Sequence, residues 1–257
     1  SQLTTVVLDK TGTITAGKPA VTDVAIASGA GAGADDEMLR LAATLEANSE
    51  HPLAAAIVAS AKGRGIKLGK AGSFESFAGR GTIGVVDDRA VIVGNAALMS
   101  EWSVDVAPEF AGEAERMGAE AKTVVYVAVD GRPAALIAIA DPIKPTSVEA
   151  IRRLKALGLH VVMLTGDQPR TAKAIAAAAG IDDVVAGVLP EGKRDEVLRL
   201  QGEGRVVAMV GDGINDAPAL AQADVGVAIG TGSDIAIEAG EITLMRGGLR
   251  SSVQAIE

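Results

Sequence analysis

The feature that most constrains this chain is the rhythm that begins at Asp141. From there, short β-branched apolar runs alternate with helical stretches to the end of the sequence. The pattern predicts a helix over Ser147–Leu157, a strand over His160–Leu164, a helix over Pro169–Ala179 stopped by Gly180, and a strand over Val184–Val188. Helix Glu191–Gln201, strand Val206–Val210, helix Ala217–Ala223, strand Val225–Ile229, helix Asp234–Ala239 and strand Ile242–Met245 follow. Antiparallel neighbours need only a tight turn, whereas parallel neighbours need a crossover long enough for a helix. Strict alternation therefore predicts a parallel sheet in a layered α/β domain.

The opening stretch has the same character. Leu3–Leu8 is apolar and β-branched and ends in Asp9-Lys10-Thr11-Gly12-Thr13, so it reads as a further strand of that sheet. Between Thr15 and Asp141 the pattern differs. Gly29–Ala34 (GAGAGA) reads as a flexible loop. Asp35 is expected to cap a helix with apolar positions Met38, Leu41, Ala42 and Leu45. A second helix is expected after Ser49-Glu50-His51-Pro52, with Ser49 able to cap and Pro52 in the first turn, ending at Gly63-Arg64-Gly65. Residues 73–95 read as strands, with a hairpin turning at Asp87-Asp88-Arg89. A second hairpin, Val124–Val129 with Ala134–Ile139, turns at Asp130-Gly131, and a helix lies near Pro108–Ala121. The expected organisation is a discontinuous α/β domain, 1–21 with 141–257, interrupted by an α+β domain over 22–140 that carries an antiparallel sheet.

Composition narrows the function classes. A formal net charge of −9 over 257 residues is opposite to what non-specific nucleic-acid binding needs, and no nucleic-acid partner is expected. The absence of cysteine excludes disulfides and thiolate metal sites. No uninterrupted apolar run reaches the roughly 18 residues of a membrane-spanning helix. The chain starts at Ser1 without Met, and Ser251–Glu257 reads as a helix cut short, so a piece of a longer protein is expected.

Three strand ends of the proposed sheet carry polar clusters: Asp9 with Thr11 and Thr13, Thr165 with Gly166 and Asp167, and Asp212 with Asn215 and Asp216. In a parallel sheet such ends share one edge, where open α/β folds bind ligands. Asp9 and Asp212 together suit a hard cation such as Mg²⁺, which takes oxygen ligands. Lys193, at the start of a helix, can offset negative charge there. A carboxylate nucleophile can accept a phosphoryl group, while a cation and a lysine neutralise the transferring oxygens and hydroxyls and loop N–H groups bind the rest.

DKTGT at 9–13, TGD at 165–167 and GDGINDAPAL at 211–220 resemble the signature motifs of P-type ATPases, within the haloacid dehalogenase superfamily. The resemblance implies a Rossmann-like haloacid-dehalogenase-type sheet with helices on both faces. It implies that Asp9 is the phosphorylated residue, followed by Lys10, and that the Thr11 carbonyl and Asp212 hold Mg²⁺. Asn215 and Asp216 support the site, Asp216 being counted with the Mg²⁺ ligands, and Thr165 and Lys193 bind phosphate. DPIKP at 141–145 matches a hinge-region motif, so connections near 16–22 and 138–145 are expected to flex.

Within the inserted domain, Ser49-Glu50-His51-Pro52-Leu53 resembles the SEHPL motif of heavy-metal P-type ATPases. Gly79-Arg80-Gly81 and Gly94-Asn95 resemble glycine-containing motifs of the same branch. The resemblance implies that Glu46, His51, Gly79, Gly81, Gly94 and Asn95 surround ATP. DPIKPTS, MLTGDQPRTA, VLPEGK and GTGSDIAIE look most like the copper (Cu⁺) branch, with the zinc/cadmium branch as the alternative. The expected activity is Mg²⁺-dependent transfer of the ATP γ-phosphate to Asp9, driving metal export in a full-length pump at the cytoplasmic face of a membrane. The partners it implies are an actuator domain, which carries a TGE motif absent from this sequence, and membrane helices. Two other readings share some of these residues: a haloacid-dehalogenase-type phosphatase using 22–140 as a cap, and a nucleotide-sensing module without catalysis.

Overall fold

The computed structural model describes residues 2–229, 242–245 and 249–250. The helix expected over Asp234–Ala239 and the terminal stretch 251–257 lie outside the described residues. The chain divides into two compact units, Ser1–Gly17 with Asp141–Glu257, and Lys18–Ala140.

The first unit is built on a six-stranded sheet. Its strands are β1 (Thr5–Asp9), β8 (His160–Leu164), β9 (Asp183–Val185), β10 (Val207–Asp212), β11 (Val225–Ile229) and β12 (Ile242–Met245), numbered among all the strands of the chain. Their order is β12-β11-β10-β1-β8-β9, and every pair is parallel. The first strand in sequence is thus central. Val6, Val7 and Leu8 are wholly buried, which explains why the middle of β1 is an unbroken apolar run rather than alternating. Among the described residues, this unit carries helices α5 (Pro145–Ala156), α6 (Pro169–Ala179), α7 (Gly192–Gly202) and α8 (Ala217–Gln222). Val197 and Leu200 of α7 and Leu220 of α8 pack on Val162, Val207 and Met209. Helix α6 ends at Gly180, whose φ of 79° fits a left-handed C-terminal cap.

The second unit holds an antiparallel sheet in the order β2-β7-β6-β5-β4-β3, built from β2 (Ala20–Ile26), β3 (Ala71–Phe77), β4 (Gly81–Val86), β5 (Arg89–Gly94), β6 (Thr123–Val129) and β7 (Arg132–Ala140). Its helices are α1 (Ala34–Glu46), α2 (Pro52–Gly63), α3 (Ala96–Glu101) and α4 (Ala107–Ala119). Side chains alternate across the sheet as the pleat requires. Val125, Val127 and Val129 join Leu39, Leu41, Leu45 and Ile57 of α1 and α2. Tyr126 and Ala128 join Leu98, Met99, Phe110 and Met117 of α3 and α4. Among the described residues, no helix is long and apolar enough to cross a membrane.

Several local expectations are corrected. Helix α1 is not capped by Asp35; Gly33 occupies the cap at φ 80°, and Asp35, Asp36 and Glu37 fill the first turn, where acidic side chains suit the helix dipole. Helix α2 is capped by His51, whose Nδ1 accepts from the Leu53 N–H at 3.2 Å; Ser49 braces that cap by accepting from the His51 N–H at 3.3 Å. Strand β2 is not apparent in the sequence because a register shift between Val21 and Asp23 breaks its alternation. Helix α3 has six residues, too few to show a helical period. Because β2 pairs with β7, Ala20 opposite Ala140, the inserted unit begins at Lys18 instead of residue 22.

Candidate active site

Register places the three polar clusters at one edge of the parallel sheet. Asp9 is opposite Leu164, one residue before Thr165, and Leu8 is opposite Val210, two residues before Asp212. The loop after β1, Lys10–Ile14, turns with non-helical angles at Thr11 and Gly12; Gly12 sits at φ 77°, where glycine is unstrained.

Asp9 is 5% exposed. Lys193 Nζ lies 2.8 Å from Asp9 Oδ1 and 2.7 Å from Asp216 Oδ1, so one ammonium serves two buried carboxylates. Burial, with the Asp216 charge, pushes the Asp9 carboxyl up to about 6, against the opposing pull of Lys193. Burial alone would depress Lys193, but Asp9 and Asp216 reverse this and leave it above the ordinary lysine range.

The loop after β10 is closed by its own side chains. Asp216 Oδ2 accepts from the Asp212 N–H at 2.9 Å. Asp212 Oδ1 accepts from the Ile214 N–H at 2.9 Å, and Asp212 Oδ2 accepts from Asn215 Nδ2 at 2.8 Å. Gly211 is required here, because a Cβ would lie 2.3 Å from Asp216 Oδ2. The loop after β8 is tied in the same manner. Thr165 Oγ1 donates to Asp167 Oδ2 at 2.8 Å and accepts from the Asp167 N–H at 3.1 Å. Lys10 Nζ lies 2.8 Å from Asp167 Oδ2, linking the first and second clusters. Gly166 has only ordinary clearance, 3.5 Å from a built Cβ to the Val188 carbonyl.

The residues singled out in the inserted unit are linked through hydrogen bonds, strand pairing and chain adjacency. Ser49 reaches both the His51 N–H and the Glu46 carboxylate. Glu46, buried at the end of α1, accepts from Thr82 Oγ1 at 2.7 Å. Thr82 follows Gly81, which pairs directly with Gly94. Asn95 then donates through Nδ2 to the Gly79 carbonyl at 3.1 Å while its Oδ1 caps α3 on the Leu98 N–H at 3.0 Å. The glycines answer to close packing. A Cβ on Gly81 would lie 2.2 Å from the Val93 carbonyl, and one on Gly94 would lie 2.4 Å from the Arg80 carbonyl. His51 keeps surface exposure, yet desolvation by its surroundings holds its imidazole below the ordinary value. With Nδ1 accepting from the helix, the proton of the neutral ring is on Nε2, which is left as the outward donor.

Thr82 does not stand out in the sequence, and although Ser49, Lys10 and Asp167 lie in the motifs, the contacts they make do not. Their roles depend on side-chain contacts made only in the fold, and only the β4 alternation, placing Thr82 inward, hints at any of them.

Residues 3–224 match the hydrolase family described as haloacid dehalogenase-like hydrolase, and the chain belongs to that family. Its relatives specify a branch. It is 54% identical over 251 residues to Copper-transporting ATPase 1 of Rhizobium meliloti (strain 1021), covering 98% of this chain and 30% of that protein. The structure of a catalytic CPx-ATPase domain, CopB-B, superposes with a TM-score of 0.69 at 30% identity, covering 99% of this chain and 88% of that one. A zinc-transporting PIB-type ATPase in an E2.Pi state superposes with a TM-score of 0.67 at 38% identity, covering 99% of this chain and 40% of that one. Within the haloacid dehalogenase-like hydrolases the chain falls among the P-type ATPases. It spans under a third of the length of its copper-transporting relative.

Proposed function

We propose that this chain is the ATP-binding and phosphorylation unit of a copper-transporting P-type ATPase, acting at the cytoplasmic face of a membrane. The observation that carries the reading is Asp9, a buried carboxylate at the end of the central strand, bonded to Lys193 and flanked by the Thr165 and Asp212 loops. The copper relative, at 54% identity, is nearer than the zinc-transporting structure at 38%, which favours copper as the transported ion. Membrane helices and an actuator domain would belong to the same full-length protein.

In this reading residues 18–140 bind ATP and residues 1–17 with 141–257 accept its γ-phosphoryl group. Glu46, His51, Gly79, Gly81, Gly94 and Asn95 define the nucleotide site. Glu46 and Asn95 serve it by holding Thr82, Ser49 and the Gly79 carbonyl in place, while His51 offers Nε2–H to the ligand. The ionised Asp9 carboxylate attacks the γ-phosphorus. The bond to the bridging oxygen breaks, ADP departs with that electron pair, and Asp9 carries an acyl phosphate. Lys193 neutralises charge on the transferring oxygens, and the Thr165 hydroxyl and loop amides bind them.

The donor set fits Mg²⁺. Among the described residues no three His, Cys, Asp or Glu side chains converge as a complete cage. Mg²⁺ typically uses one or two carboxylates and keeps the remaining positions for waters and substrate phosphates. Asp9, Asp212 and the Thr11 carbonyl would hold it, and it would supply charge neutralisation at the phosphoryl oxygens. Both carboxylates already accept from protein donors, but Asp212 keeps partial exposure while the Asp216 side chain is fully buried between Lys193 and the Asp212 N–H, so Asp212 is the one that would turn an oxygen to the cation and Asp216 anchors Lys193 and the Asp212 backbone.

The test is incubation with Mg²⁺ and γ-labelled ATP. An acid-stable, hydroxylamine-labile adduct on the wild-type chain, absent in Asp9→Asn, is the expected result. An adduct that persists in Asp9→Asn overturns the nucleophile. His51→Gln should weaken ATP binding; a phosphatase that merely used residues 18–140 as a cap would be indifferent to it.

A further inference from the structure

The segment that returns at Asp141 is bonded along the loop that follows Asp9. Thr15 Oγ1 lies within donating distance of Asp141 Oδ2, at 2.6 Å, and of the Lys10 carbonyl, at 3.2 Å, and accepts from the Gly12 N–H at 3.2 Å. The Ala16 N–H donates to the Pro142 carbonyl at 2.9 Å, and the Lys144 N–H to the Ile14 carbonyl at 3.0 Å. Lys144 Nζ then donates to the Gly12 carbonyl at 2.8 Å, and wholly buried Ser147 donates through Oγ to the Thr13 carbonyl at 3.3 Å.

A trans peptide is planar, and its carbonyl and the following N–H point in opposite directions. Holding the Gly12 carbonyl therefore fixes where the Thr13 N–H points. Little else around Gly12 does so. Its φ of 77° is one glycine adopts without strain, and no atom lies within 4 Å of where a Cβ would be. Thr13 on the far side is buried, but the Gly12 carbonyl itself is oriented by its bond to Lys144. Lys144 is suited to supply that bond, because burial lowers its ammonium below the usual lysine range, with Asp141 acting in the opposite sense, so its charge is not simply solvated.

We propose that Lys144, assisted by Ser147, is a positioning residue for phosphoryl transfer: its ammonium fixes the Gly12–Thr13 peptide and thereby sets the direction of the Thr13 N–H, which we take as one of the loop amides that bind the transferred group. The inference rests on Asp9 being the phosphorylated residue. Lys144 touches neither Asp9 nor any substrate atom in this role; it acts through the loop.

The experiment compares wild-type chain with Lys144→Met, Lys144→Arg and Ser147→Ala. Lys155→Met is the control, because Lys155 also donates to a backbone carbonyl, that of Gly180, away from the loop. The rate of phosphoenzyme formation at saturating ATP should fall roughly ten- to a hundred-fold in Lys144→Met, the scale for a slightly misplaced catalytic group. ATP affinity should stay unchanged, Lys144→Arg should restore part of the rate, and Lys155→Met should match wild type. In the Mg²⁺-free chain, the Thr13 amide resonance should shift, and its exchange should quicken in Lys144→Met more than in Ser147→Ala. A Lys144→Met chain that phosphorylates at the wild-type rate overturns the proposal, as does an unmoved Thr13 amide. Should wild type form no phosphoenzyme, the reading of Asp9 fails, while the amide measurement still decides whether Lys144 holds the loop.

Discussion

Thr82 Oγ1 donates to Glu46 Oε1 at 2.7 Å, and that bond joins the helix leading to His51 with the strand that starts at Gly81. Thr82→Val would take from the buried Glu46 carboxylate the donor at 2.7 Å. It should destabilise residues 18–140 by about 1–3 kcal/mol, the scale for an unsatisfied buried group, and weaken ATP binding. Thr82→Ser should retain most of both. Urea denaturation alongside an ATP titration checks this.

Lys193→Met should be more severe. It removes the one cation shared by Asp9 and Asp216 and leaves two buried carboxylates facing each other. Breaking a buried pair in this manner costs about 3–5 kcal/mol. Phosphoenzyme should vanish, and the melting temperature should rise again when Asp216→Asn is added. A single variant as stable as wild type would show that the bridge carries no stability.

The Asp9 carboxyl has a definite pH signature. Its folded value, about 6, lies above the ordinary 3.8. The native state therefore binds the proton more tightly than the unfolded chain, and this contribution to stability is full below about pH 4 and lost as pH rises to about 6. Asp9→Asn should flatten that part of the stability profile in the Mg²⁺-free protein. Chemical denaturation at several pH values between about 4 and 7 measures the difference.

Two glycine substitutions separate packing from ligand contact. Gly211→Ala should displace Asp216 and abolish phosphorylation while ATP affinity is kept, because the intruding Cβ meets Asp216 Oδ2 at 2.3 Å. Gly81→Ala should lower both stability and ATP affinity, since its Cβ meets the Val93 carbonyl at 2.2 Å and its φ is 143°. Differential scanning calorimetry with and without ATP distinguishes the two.

The alternating second half is readable because each element has a strong local signal. His160–Leu164, Pro169–Ala179 and Val225–Ile229 have the bounds their sequence predicts. The edge that gathers the three polar clusters is readable for the same reason, since the carboxyl ends of parallel strands lie together. What escapes is either too short, as with Ala96–Glu101, or broken by a bulge, as with Ala20–Ile26. The partner of a functional side chain is less legible still. Asp216 is expected among the Mg²⁺ ligands from its place in GDGINDAPAL, and nothing in that spacing shows that its oxygens bond Lys193 and the Asp212 N–H. Sequence spacing can nominate carboxylates for a site, but cannot say which donors their oxygens meet.

The pairing of Ala20 with Ala140 brings the first and last strands of residues 18–140 side by side. On the other side of each crossing, Thr15 bridges Ile143 and Ala16 bonds Pro142. The inserted unit thus enters and leaves through adjacent backbones. It has the architecture of a cassette: excision leaves two ends close enough for a short linker, and a different insert could be spliced there without altering the strand order of the parallel sheet.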